Sequence, residues 1–517
     1  MSKLTQHLQK TFEENTGVPR IYDGGHWYTG QTIMEDTAKI CGYLSEARVA
    51  PGDRILLSYP NSYSFIITYL AILQYGATVA PINPNMPASE LRAFVRRCQP
   101  KFGFVGAKHL EILQQEDFSD SLETLFLIDT ATASLPTEQY VYDERSDHWE
   151  EHPLNPFATA VGNAEPPEEA LAILLYTSGT TGNPKAVGLQ HRHILATINN
   201  IIHSHQLSAS DVAYCFLPLF HINAQVIAFL STCLSGGRVV IAPKFSASKF
   251  WSTIEEQNIT WVSAVPTIIA ILLKATRPRV IPKQLRFIRS ASAQLPMLTA
   301  KRFEQKLGIP VIESYGMTEA ASQICINPLP PGKRVLGSVG LPVGLNLRIV
   351  DDQGHPLPAN EVGEITIQGD NVIDAYVQAD HQNDFQHGWF HTGDLGYQNE
   401  EGYVFIVGRK KEMINRGGEK VSPYEVEDTI RELPGVDQVA VIGMPDPLYG
   451  EKVCAYIVAE KSVETNGLSE KILEHCRQSL SSYKCPSLVH VVNDIPVGPT
   501  GKIQRHRLKQ QELATSN

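Results

Sequence analysis

Two long stretches of the sequence, residues 30–110 and 190–315, alternate between helix-like and strand-like segments. The short apolar runs that have the length of strands cover residues 54–58, 77–81, 102–105, 238–241, 261–265 and 285–290. The segments with helical periodicity cover residues 31–47, 64–73, 88–97 and 191–204. Strands that alternate with helices pair in parallel and carry the helices on their faces, so the sequence predicts an α/β fold.

Two later regions differ in pattern from these stretches. Residues 337–407 carry short β-rich runs between Gly, Pro and Asp turns, which indicates a small sheet or barrel. After the charged segment 409–412, residues 424–492 form a self-contained α+β pattern. We therefore expect a large N-terminal domain over 1–408, made of parallel-sheet α/β subdomains plus a β-barrel-like subdomain. A small, mobile α+β domain over 409–517 is expected to follow it.

Composition and charge narrow the classes of function. The 517 residues are 43% apolar and 19% charged, which is an ordinary globular composition for more than one domain. The net charge of −11 disfavours nucleic-acid binding, because such domains are usually basic. The eight cysteines form no Cys-x-x-Cys motif and are expected to be reduced thiols. The most apolar stretch, 63–82, is broken by Gln74, Gly76 and Pro81, so we expect a cytoplasmic protein without an integral membrane segment.

A loop rich in glycine and hydroxyl groups follows the apolar run 171–175. The segment 116–165 is interpreted as a surface connection that leads toward this loop. The residues expected to donate hydrogen bonds or charge to an anion are Thr177, Ser178, Gly179, Thr180, Thr181, Gly182 and Lys185. The pattern indicates a phosphate-binding loop, although a polar turn after a strand would look similar. It is not a P-loop NTPase signature, because Gly-Lys-Ser/Thr is absent.

Three further segments carry residues with chemistry suited to a nucleotide. Residues 314–319 read Ser-Tyr-Gly-Met-Thr-Glu, in which an aromatic ring can stack on a base and a carboxylate can hold Mg²⁺. Residues 391–394, His-Thr-Gly-Asp, are predicted to form a turn whose Asp394 can accept both ribose hydroxyls. Residues 499–503, Pro-Thr-Gly-Lys-Ile, present a mobile ammonium near the end of the chain. Taken singly, each segment is also compatible with a core tyrosine, a capped turn or an exposed lysine.

In order and spacing, these segments resemble the motifs of the adenylate-forming superfamily, which includes acyl-CoA synthetases, peptide-synthetase adenylation domains and firefly luciferase. The resemblance covers roughly residues 170–505. It implies a two-step reaction in which a carboxylate attacks Mg·ATP to give acyl-AMP and pyrophosphate. The small domain then rotates and a thiol takes the acyl group. The cofactors implied are ATP, Mg²⁺ and coenzyme A.

The same resemblance assigns a role to each site residue. Around the nucleotide, Tyr315 and Gly316 would contact adenine, Thr318 a phosphate, Glu319 the metal, and Asp394 and Arg409 the ribose. Ser292 and Ala293 would lie at the adenine edge. Lys502 would be the catalytic lysine of the first half-reaction, His221 would orient the carboxylate in the acyl pocket, and Lys411 would be the hinge. Gly417 and Gly418 would line the tunnel for the CoA arm in the second conformation.

The substrate is where the sequence is least specific. The adenine-edge segment, residues 289–295, departs from the family's frequent Ser-Gly-Gly-Ala-Pro-Leu. Together with residues 287–288 and 327–333, it resembles the oxalyl-CoA synthetase branch. The second carboxylate of a short diacid would need donors such as Asn223, Gln225 or Arg289. The neighbouring segments 222–230 and 265–270 are otherwise apolar, which suits an aliphatic or aryl acid.

We therefore expect a general acyl-CoA synthetase that acts on a small carboxylic acid. The alternatives are an oxalate or short dicarboxylate ligase, an enzyme that loads a separate carrier protein, and a catalytically silent ATP-binding protein. No carrier signature follows Lys502, which favours free CoA as the acceptor. Either a monomer or a homodimer is expected.

Overall fold

The computed structural model describes residues 2–14, 16–115, 118, 121–129, 134–143, 145–146, 148–159, 165–177, 184–276, 278, 280–378, 384–460, 463, 465–498 and 503–515. The α-helices in these ranges are, in chain order, α1 Lys3–Glu13, α2 Gly30–Glu46, α3 Tyr63–Tyr75, α4 Ala88–Cys98, α5 Ala107–Gln114, α6 His191–His205, α7 Ser231–Leu234, α8 Phe250–Glu256, α9 Pro266–Lys274, α10 Met297–Leu307, α11 Pro423–Arg431, α12 Leu468–Ser479 and α13 Arg505–Thr515. A π-helix, Asn223–Leu230, runs directly into α7, and Thr318–Ala320 is a 3₁₀ turn.

The strands of the first half of the chain are β1 Pro19–Asp23, β2 His26–Thr29, β3 Arg54–Ser58, β4 Thr78–Pro81, β5 Phe102–Val105, β6 Thr124–Leu127, β7 Glu138–Asp143, β8 His148–His152, β9 Leu171–Thr177, β10 Lys185–Gln190, β11 Val212–Cys215 and β12 Arg238–Ile241. Those of the second half are β13 Trp261–Ala264, β14 Phe287–Ser290, β15 Val311–Tyr315, β16 Cys325–Ile326, β17 Leu341–Pro342, β18 Asn346–Val350, β19 Gly363–Gln368, β20 Phe385–Gln386, β21 Trp389–Gln398, β22 Val404–Arg409, β23 Ile414–Arg416, β24 Glu419–Val421, β25 Val436–Asp446, β26 Gly450–Ala459 and β27 Leu488–Val491.

An eight-stranded sheet has the order β10-β9-β4-β3-β5-β6-β7-β8. Its centre, from β9 to β6, is parallel, whereas β10, β7 and β8 are added at the edges in antiparallel fashion. Strands β3 and β5 are almost wholly buried, which explains why they appear in the sequence as continuous apolar runs. Helix α3 begins where Ser62 Oγ accepts a hydrogen bond from Phe65 N, and it ends at Gly76, whose φ is +83°.

The interpretation of 116–165 as a surface connection was wrong. Strands β6, β7 and β8 lie in this segment and extend the sheet. The β7–β8 hairpin is half-exposed, and Tyr140 and Trp149 are its partly buried contacts with the core beneath. A few aromatic residues in a polar edge hairpin give only a weak period-2 signal, which is why the strands were not predicted.

A nine-stranded sheet has the order β17-β16-β15-β14-β13-β11-β12-β1-β2. Its strands from β1 to β15 run in parallel, and β2, β16 and β17 are antiparallel additions. The predicted runs 238–241, 261–265 and 285–290 all fall in this parallel centre. The prediction of an α/β fold built on parallel sheets is therefore confirmed for the large part of the chain.

A five-stranded sheet of β18, β19, β21, β20 and β22 follows, and it is antiparallel throughout. The prediction of a turn at 391–394 was wrong, because these residues lie inside β21. Gly393 has a φ of +71° and interrupts the regular strand geometry there, so the Thr-Gly-Asp sequence looks like a turn. Strand pairing resumes at Asp394, which lies opposite Arg409 of β22.

The last sheet, β24-β23-β26-β25 with β27 beside β26, belongs to a small α+β unit with its own core. One hydrophobic core is shared by the three preceding sheets, and its members include Ile21, Ile173 and Ile365. The polar contacts that join the small unit to the large one include a Lys274–Asp437 salt bridge, a Gln294 Nε2 to Asp428 Oδ2 hydrogen bond of 2.9 Å, and a hydrogen bond from Ser422 Oγ to the Val407 carbonyl oxygen. Among the described helices, none combines the length and the apolar character needed to cross a membrane.

Candidate active site

A cavity of about 1140 Å³ lies at the carboxyl edges of both large sheets. Residues that directly follow parallel strands line it, namely Ile82 after β4, Phe216 after β11, Val265 after β13, Ala291 after β14 and Gly316 after β15. In open α/β sheets, ligands bind outside the carboxyl ends of the strands. The fold therefore directs the loops that carry the sequence motifs to one place.

Three residues from separate motifs meet at one side of this cavity. Tyr315, the last residue of β15, donates its hydroxyl to Asp394 Oδ2 at 2.6 Å. Arg409 Nε lies 2.9 Å from Asp394 Oδ1, and this attraction raises the pKa of Arg409 further above its usual range. Burial raises the pKa of the Tyr315 hydroxyl, so it stays protonated and donates. Arg409 lines the cavity, whereas Tyr315 and Asp394 are not among the lining residues.

A second polar cluster surrounds Lys185 at the start of β10. Its ammonium forms a salt bridge with Asp384 and donates to the Tyr376 hydroxyl at 3.2 Å. The same hydroxyl lies 3.3 Å from Glu319 Oε1. Glu319 is buried, and burial raises the pKa of its carboxyl. All four residues line the cavity, next to Thr177 at the end of β9.

This cluster fits a magnesium ion that arrives with a nucleotide. Mg²⁺ in proteins usually takes one or two carboxylates and completes its shell with phosphate oxygens and water. Glu319 provides one such carboxylate at the cavity wall. In the part of the chain that the structure describes, no group of three or more His, Cys, Asp or Glu side chains could hold a metal alone.

The cavity wall is built from backbone in unusual conformations. A Cβ on Gly316 would lie 1.8 Å from the carbonyl oxygen of Ser322, so only glycine fits there. Ala321 and Ser322 have φ values of +46° and +94°, and Ser292 has a φ of +72°. Non-glycine residues with positive φ are uncommon, and they are concentrated at functional sites.

The acyl end of the cavity, as the resemblance locates it, combines apolar walls with two polar side chains. Phe220, Val265 and Ile268 supply apolar surface. His221 lines the cavity without a partner for Nε2 among the described residues, and burial lowers its pKa to about 4. It is therefore a neutral imidazole at pH 7. Asn223 lies beside it, at the start of the π-helix.

The sequence-predicted donors for a second carboxylate are placed differently from one another. Asn223 lines the cavity and accepts a hydrogen bond from Ser263 Oγ at 3.0 Å. Gln225 is buried and donates to the carbonyl oxygen of Leu219 at 2.7 Å, which makes it a structural residue of the π-helix. Arg289 is fully buried in β14 and is not among the lining residues.

The remaining predicted residues fall into three groups. Thr318, Ser292 and Lys411 line the cavity, whereas Ala293 is exposed and does not. Gly417 and Gly418 form the exposed turn of the β23–β24 hairpin, away from the cavity wall. The residues that lie outside the described part of the chain are Ser178, Gly179, Thr180, Thr181, Gly182 and Lys502.

Asp384 and Tyr376 were not identified from the sequence. Asp384 is 199 residues from Lys185 in the chain, so no local spacing could connect the two. One physical argument was available, because a lysine in a cavity wall needs an acceptor as partner when no phosphate is bound. This argument predicts that an acceptor exists, but it does not indicate which residue provides it.

Comparison with known proteins agrees with this geometry. The family model of AMP-binding enzymes matches residues 8–377, and that of the AMP-binding enzyme C-terminal domain matches residues 425–502. A sulfoacetate–CoA ligase of Cupriavidus necator is 35% identical over 490 residues, which cover 94% of this chain and 93% of that protein. An oxalate–CoA ligase of Arabidopsis thaliana is 37% identical over 484 residues, with 91% and 90% covered. The structure of ATP-bound MatB from Rhodopseudomonas palustris superposes with a TM-score of 0.88 at 26% identity, over 98% of each chain.

The chain therefore belongs to the family of AMP-binding enzymes. It is an ATP-dependent acid–thiol ligase, an acyl-CoA synthetase that activates a carboxylic acid as acyl-AMP, releases pyrophosphate and transfers the acyl group to CoA. ATP, Mg²⁺ and CoA are its cofactors and co-substrates. The resemblance to the adenylate-forming superfamily, inferred from the motifs, is confirmed.

Proposed function

We propose that the acid is short and carries a second anionic group, as oxalate does. The observation that carries this proposal is the polar acyl end of the cavity. Asn223 lies at its wall beyond His221, which is assigned to the attacking carboxylate, and a pocket for an alkyl chain or an aryl ring would gain nothing from this amide. Two of the similar proteins, by their names, act on sulfoacetate and on oxalate, which are both acids of this kind.

The size of the cavity supports a small acid. Pockets for single drug-sized ligands span roughly 300–1000 Å³. The cavity of about 1140 Å³ is only slightly larger, and it has to hold ATP together with the acid. Among acyl-CoA synthetases, the enzyme is therefore proposed to be an oxalate or short-dicarboxylate ligase rather than one of general acid specificity.

Each half of the nucleotide has a set of residues in this proposal. The loop 177–182 and Lys185 hold the β- and γ-phosphates, which leave as pyrophosphate. Lys185 is already charge-paired with Asp384, so the phosphates would compete with a carboxylate for it. Tyr315, Asp394 and Arg409 are proposed for the adenosine half, where the Asp394 oxygens are acceptors suited to ribose hydroxyls.

The chemistry at phosphorus needs donors that act as negative charge moves from the acid to the phosphates. Mg²⁺ bound through Glu319 and the phosphates would neutralise part of that charge. Neutral His221, whose Nε2 has no partner among the described residues, is proposed to donate a hydrogen bond to the attacking carboxylate and so to orient it. Lys502 is proposed to bridge the carboxylate and the α-phosphate and to stabilise the transition state electrostatically.

The two half-reactions are proposed to use two arrangements of the units 1–408 and 409–517, with Lys411 as the hinge. The contacts that lie away from the connecting segment support mobility, since the Lys274–Asp437 salt bridge and the Gln294–Asp428 hydrogen bond are both exposed. Gly417 and Gly418 are exposed in this arrangement, as expected for a loop that enters the active site only for thioester formation.

All eight cysteines are free, which supports a reducing, cytoplasmic location.

The test is pyrophosphate release from ATP with single acids, measured with and without CoA. We expect oxalate, malonate or sulfoacetate to give kcat/KM at least about tenfold above butyrate and benzoate. We also expect the CoA thioester to form in proportion to pyrophosphate. A preference for the uncharged tails would refute the proposed acid. Release of pyrophosphate without consumption of CoA would instead favour a carrier protein as acceptor.

A further inference from the structure

The Arg289 guanidinium is a buried cation without a counter-ion. Its side chain is fully buried in β14, and no carboxylate of the described residues lies within salt-bridge distance. Nε and Nη2 have no hydrogen-bond partner there, and Nη1 has one, Ser263 Oγ at 3.4 Å. Burial lowers the pKa of Arg289 to about 9, which leaves the group charged at neutral pH. A buried charge without a partner is costly, so the protein is expected to gain something from it.

The hydrogen bonds of this arginine have a fixed direction. A guanidinium can only donate, so Ser263 Oγ has to accept from Arg289. The Ser263 hydroxyl proton is then free to point to Asn223 Oδ1, 3.0 Å away. Because Asn223 Oδ1 accepts this hydrogen bond, the amide nitrogen Nδ2 is the atom that remains available to a ligand. Asn223 lines the cavity, and Nδ2 has no protein partner in the described ranges.

The other titratable groups around Arg289 do not offset its charge. His205 faces it from α6 and is fully buried, and burial together with Arg289 keeps the pKa of this imidazole well below its usual value. His221, two residues before Asn223 in the chain, is also neutral at pH 7. The acyl end of the cavity therefore lies next to a positive charge that no described side chain neutralises.

We propose that Arg289, Ser263 and Asn223 form a relay that selects acids with a second anionic group. Asn223 contacts that group through its Nδ2 hydrogen, whereas Ser263 and Arg289 act through Asn223 as positioning residues. Ser263 fixes the orientation of the amide, and Arg289 supplies the positive potential that an anion in the cavity would balance. This inference rests on the proposed function, and it names the groups that recognise the second charge.

A purely structural role for the same three residues predicts different behaviour. In that case the hydrogen bonds would tie β13, β14 and the π-helix together, and their loss would lower stability and affect all acids equally. The relay predicts a loss that depends on the charge of the far end of the acid. Acids that differ only in this charge, oxalate and oxamate or malonate and malonamate, therefore separate the two roles.

The central experiment measures kcat/KM for each matched pair with wild type, Ser263→Ala and Ser290→Ala. Ser290 is the buried serine next to Arg289, its hydroxyl has no partner among the described residues, and it does not line the cavity, so it is the matched control. We expect Ser263→Ala to lower kcat/KM for the diacids by about tenfold. For the half-amides, kcat/KM should change less than about threefold. In Ser290→Ala, the ratio of kcat/KM for the diacid to that for its half-amide should stay near the wild-type value in both pairs.

Asn223→Asp provides a readout that misfolding cannot imitate. An aspartate at this position would repel the second carboxylate, whereas it could accept a hydrogen bond from the amide of oxamate or malonamate. The variant should therefore reverse the wild-type preference and favour the half-amides. Arg289→Gln should reduce the preference for diacids over half-amides without reversing it. This comparison requires that the Tm of the variant and its KM for ATP stay near those of wild type.

The outcomes separate the relay from the proposed function. If wild type prefers diacids, but Ser263→Ala and Asn223→Asp change both members of each pair equally, the relay is wrong and the proposed acid stands. If wild type prefers the half-amides or acids with apolar tails, the proposed function itself is wrong. If Ser263→Ala does not fold, the reversal by Asn223→Asp decides alone, since equal losses for both acids would overturn the relay.

Discussion

At the scale of single residues, close approach of backbone atoms determines what the site tolerates. The Ser322 carbonyl oxygen lies where the Cβ of any other residue at position 316 would be. In Gly316→Ala, the backbone on one side of this contact therefore has to shift. Overpacking of this kind typically costs about 1–3 kcal/mol, and here the displaced segment includes the wall of the cavity. We expect a lower Tm and a loss of at least about tenfold in pyrophosphate release.

Gly106→Ala is the matched control for this substitution. Gly106 precedes α5 with a φ of −83°, and no atom lies within 4 Å of its added Cβ. Its pyrophosphate release should equal that of wild type, and its Tm should fall only slightly, because Gly106 is the N-cap of α5 and alanine is a poorer N-cap than glycine. If Gly316→Ala also behaved like wild type, the close approach at the cavity wall would be contradicted.

Charge pairing at Asp394 gives a second prediction at this scale. Asp394→Asn keeps an acceptor for one neighbour but leaves Arg409 without its negative partner. Hydrogen bonds to charged groups contribute roughly 1.5–3 kcal/mol, so the KM for ATP should rise by about tenfold or more. The KM for the acid should change little, because Asp394 is proposed to contact the adenosine half alone. An unchanged KM for ATP would contradict the assignment of Asp394 to the nucleotide site.

At the scale of elements, burial on both faces decides which strands can be predicted from sequence. Strands β3 and β5 are buried almost throughout and form continuous apolar runs, so their positions were predicted to the residue. The hairpin β7–β8 is half-exposed at a sheet edge, and its polar residues concealed it. The β21 segment was missed for a different reason, because Gly393 has turn geometry inside a strand.

Helix α6 contains a histidine that acts as a cap and should make stability depend on pH. His193 Nδ1 accepts a hydrogen bond from Gln190 N at 3.1 Å, and burial lowers the pKa of His193 to about 4. The unfolded chain binds this proton near pH 6.5, whereas the folded chain binds it only near pH 4. The contribution of His193 to the free energy of unfolding is therefore fully present above about pH 6.5. It is lost as the pH falls toward 4, and the loss reaches up to about 3 kcal/mol.

His193→Gln keeps an acceptor at the capping position and removes the titration. We expect its Tm at pH 8 to lie near that of wild type, and its loss of Tm between pH 8 and pH 5 to be smaller. His203→Gln, at the exposed end of the same helix, is the control and should follow wild type. Parallel pH profiles for His193→Gln and wild type would contradict the assignment.

At the scale of the whole molecule, the site joins residues that are far apart in sequence. Motif order predicted Lys185, Glu319, Arg409 and His221, and all four line one cavity. Asp384 could not be predicted, because its role depends on being brought to Lys185 by the β18–β22 sheet. Arg289 was identified as a donor, yet its indirect action through Ser263 depends on side-chain directions that a sequence does not specify.

The proposed division of labour between the two units predicts separable half-reactions. Lys502, on the small unit, is needed in this account only while the α-phosphate is attacked. Lys502→Ala should abolish acyl-AMP formation, yet it should convert supplied acyl-AMP and CoA to the thioester at nearly the wild-type rate. Single-turnover assays of each half-reaction measure this directly. Equal loss in both halves would contradict the two-arrangement mechanism.

The most direct test of the central claim is a competition for limiting CoA. Wild-type enzyme is given ATP, Mg²⁺ and an equimolar mixture of oxalate, malonate, sulfoacetate, oxamate, butyrate and benzoate, and the CoA thioesters are quantified by mass spectrometry. We expect the thioesters of the acids with a second anionic group to dominate the early products. Dominance of butyryl-CoA or benzoyl-CoA would contradict this expectation.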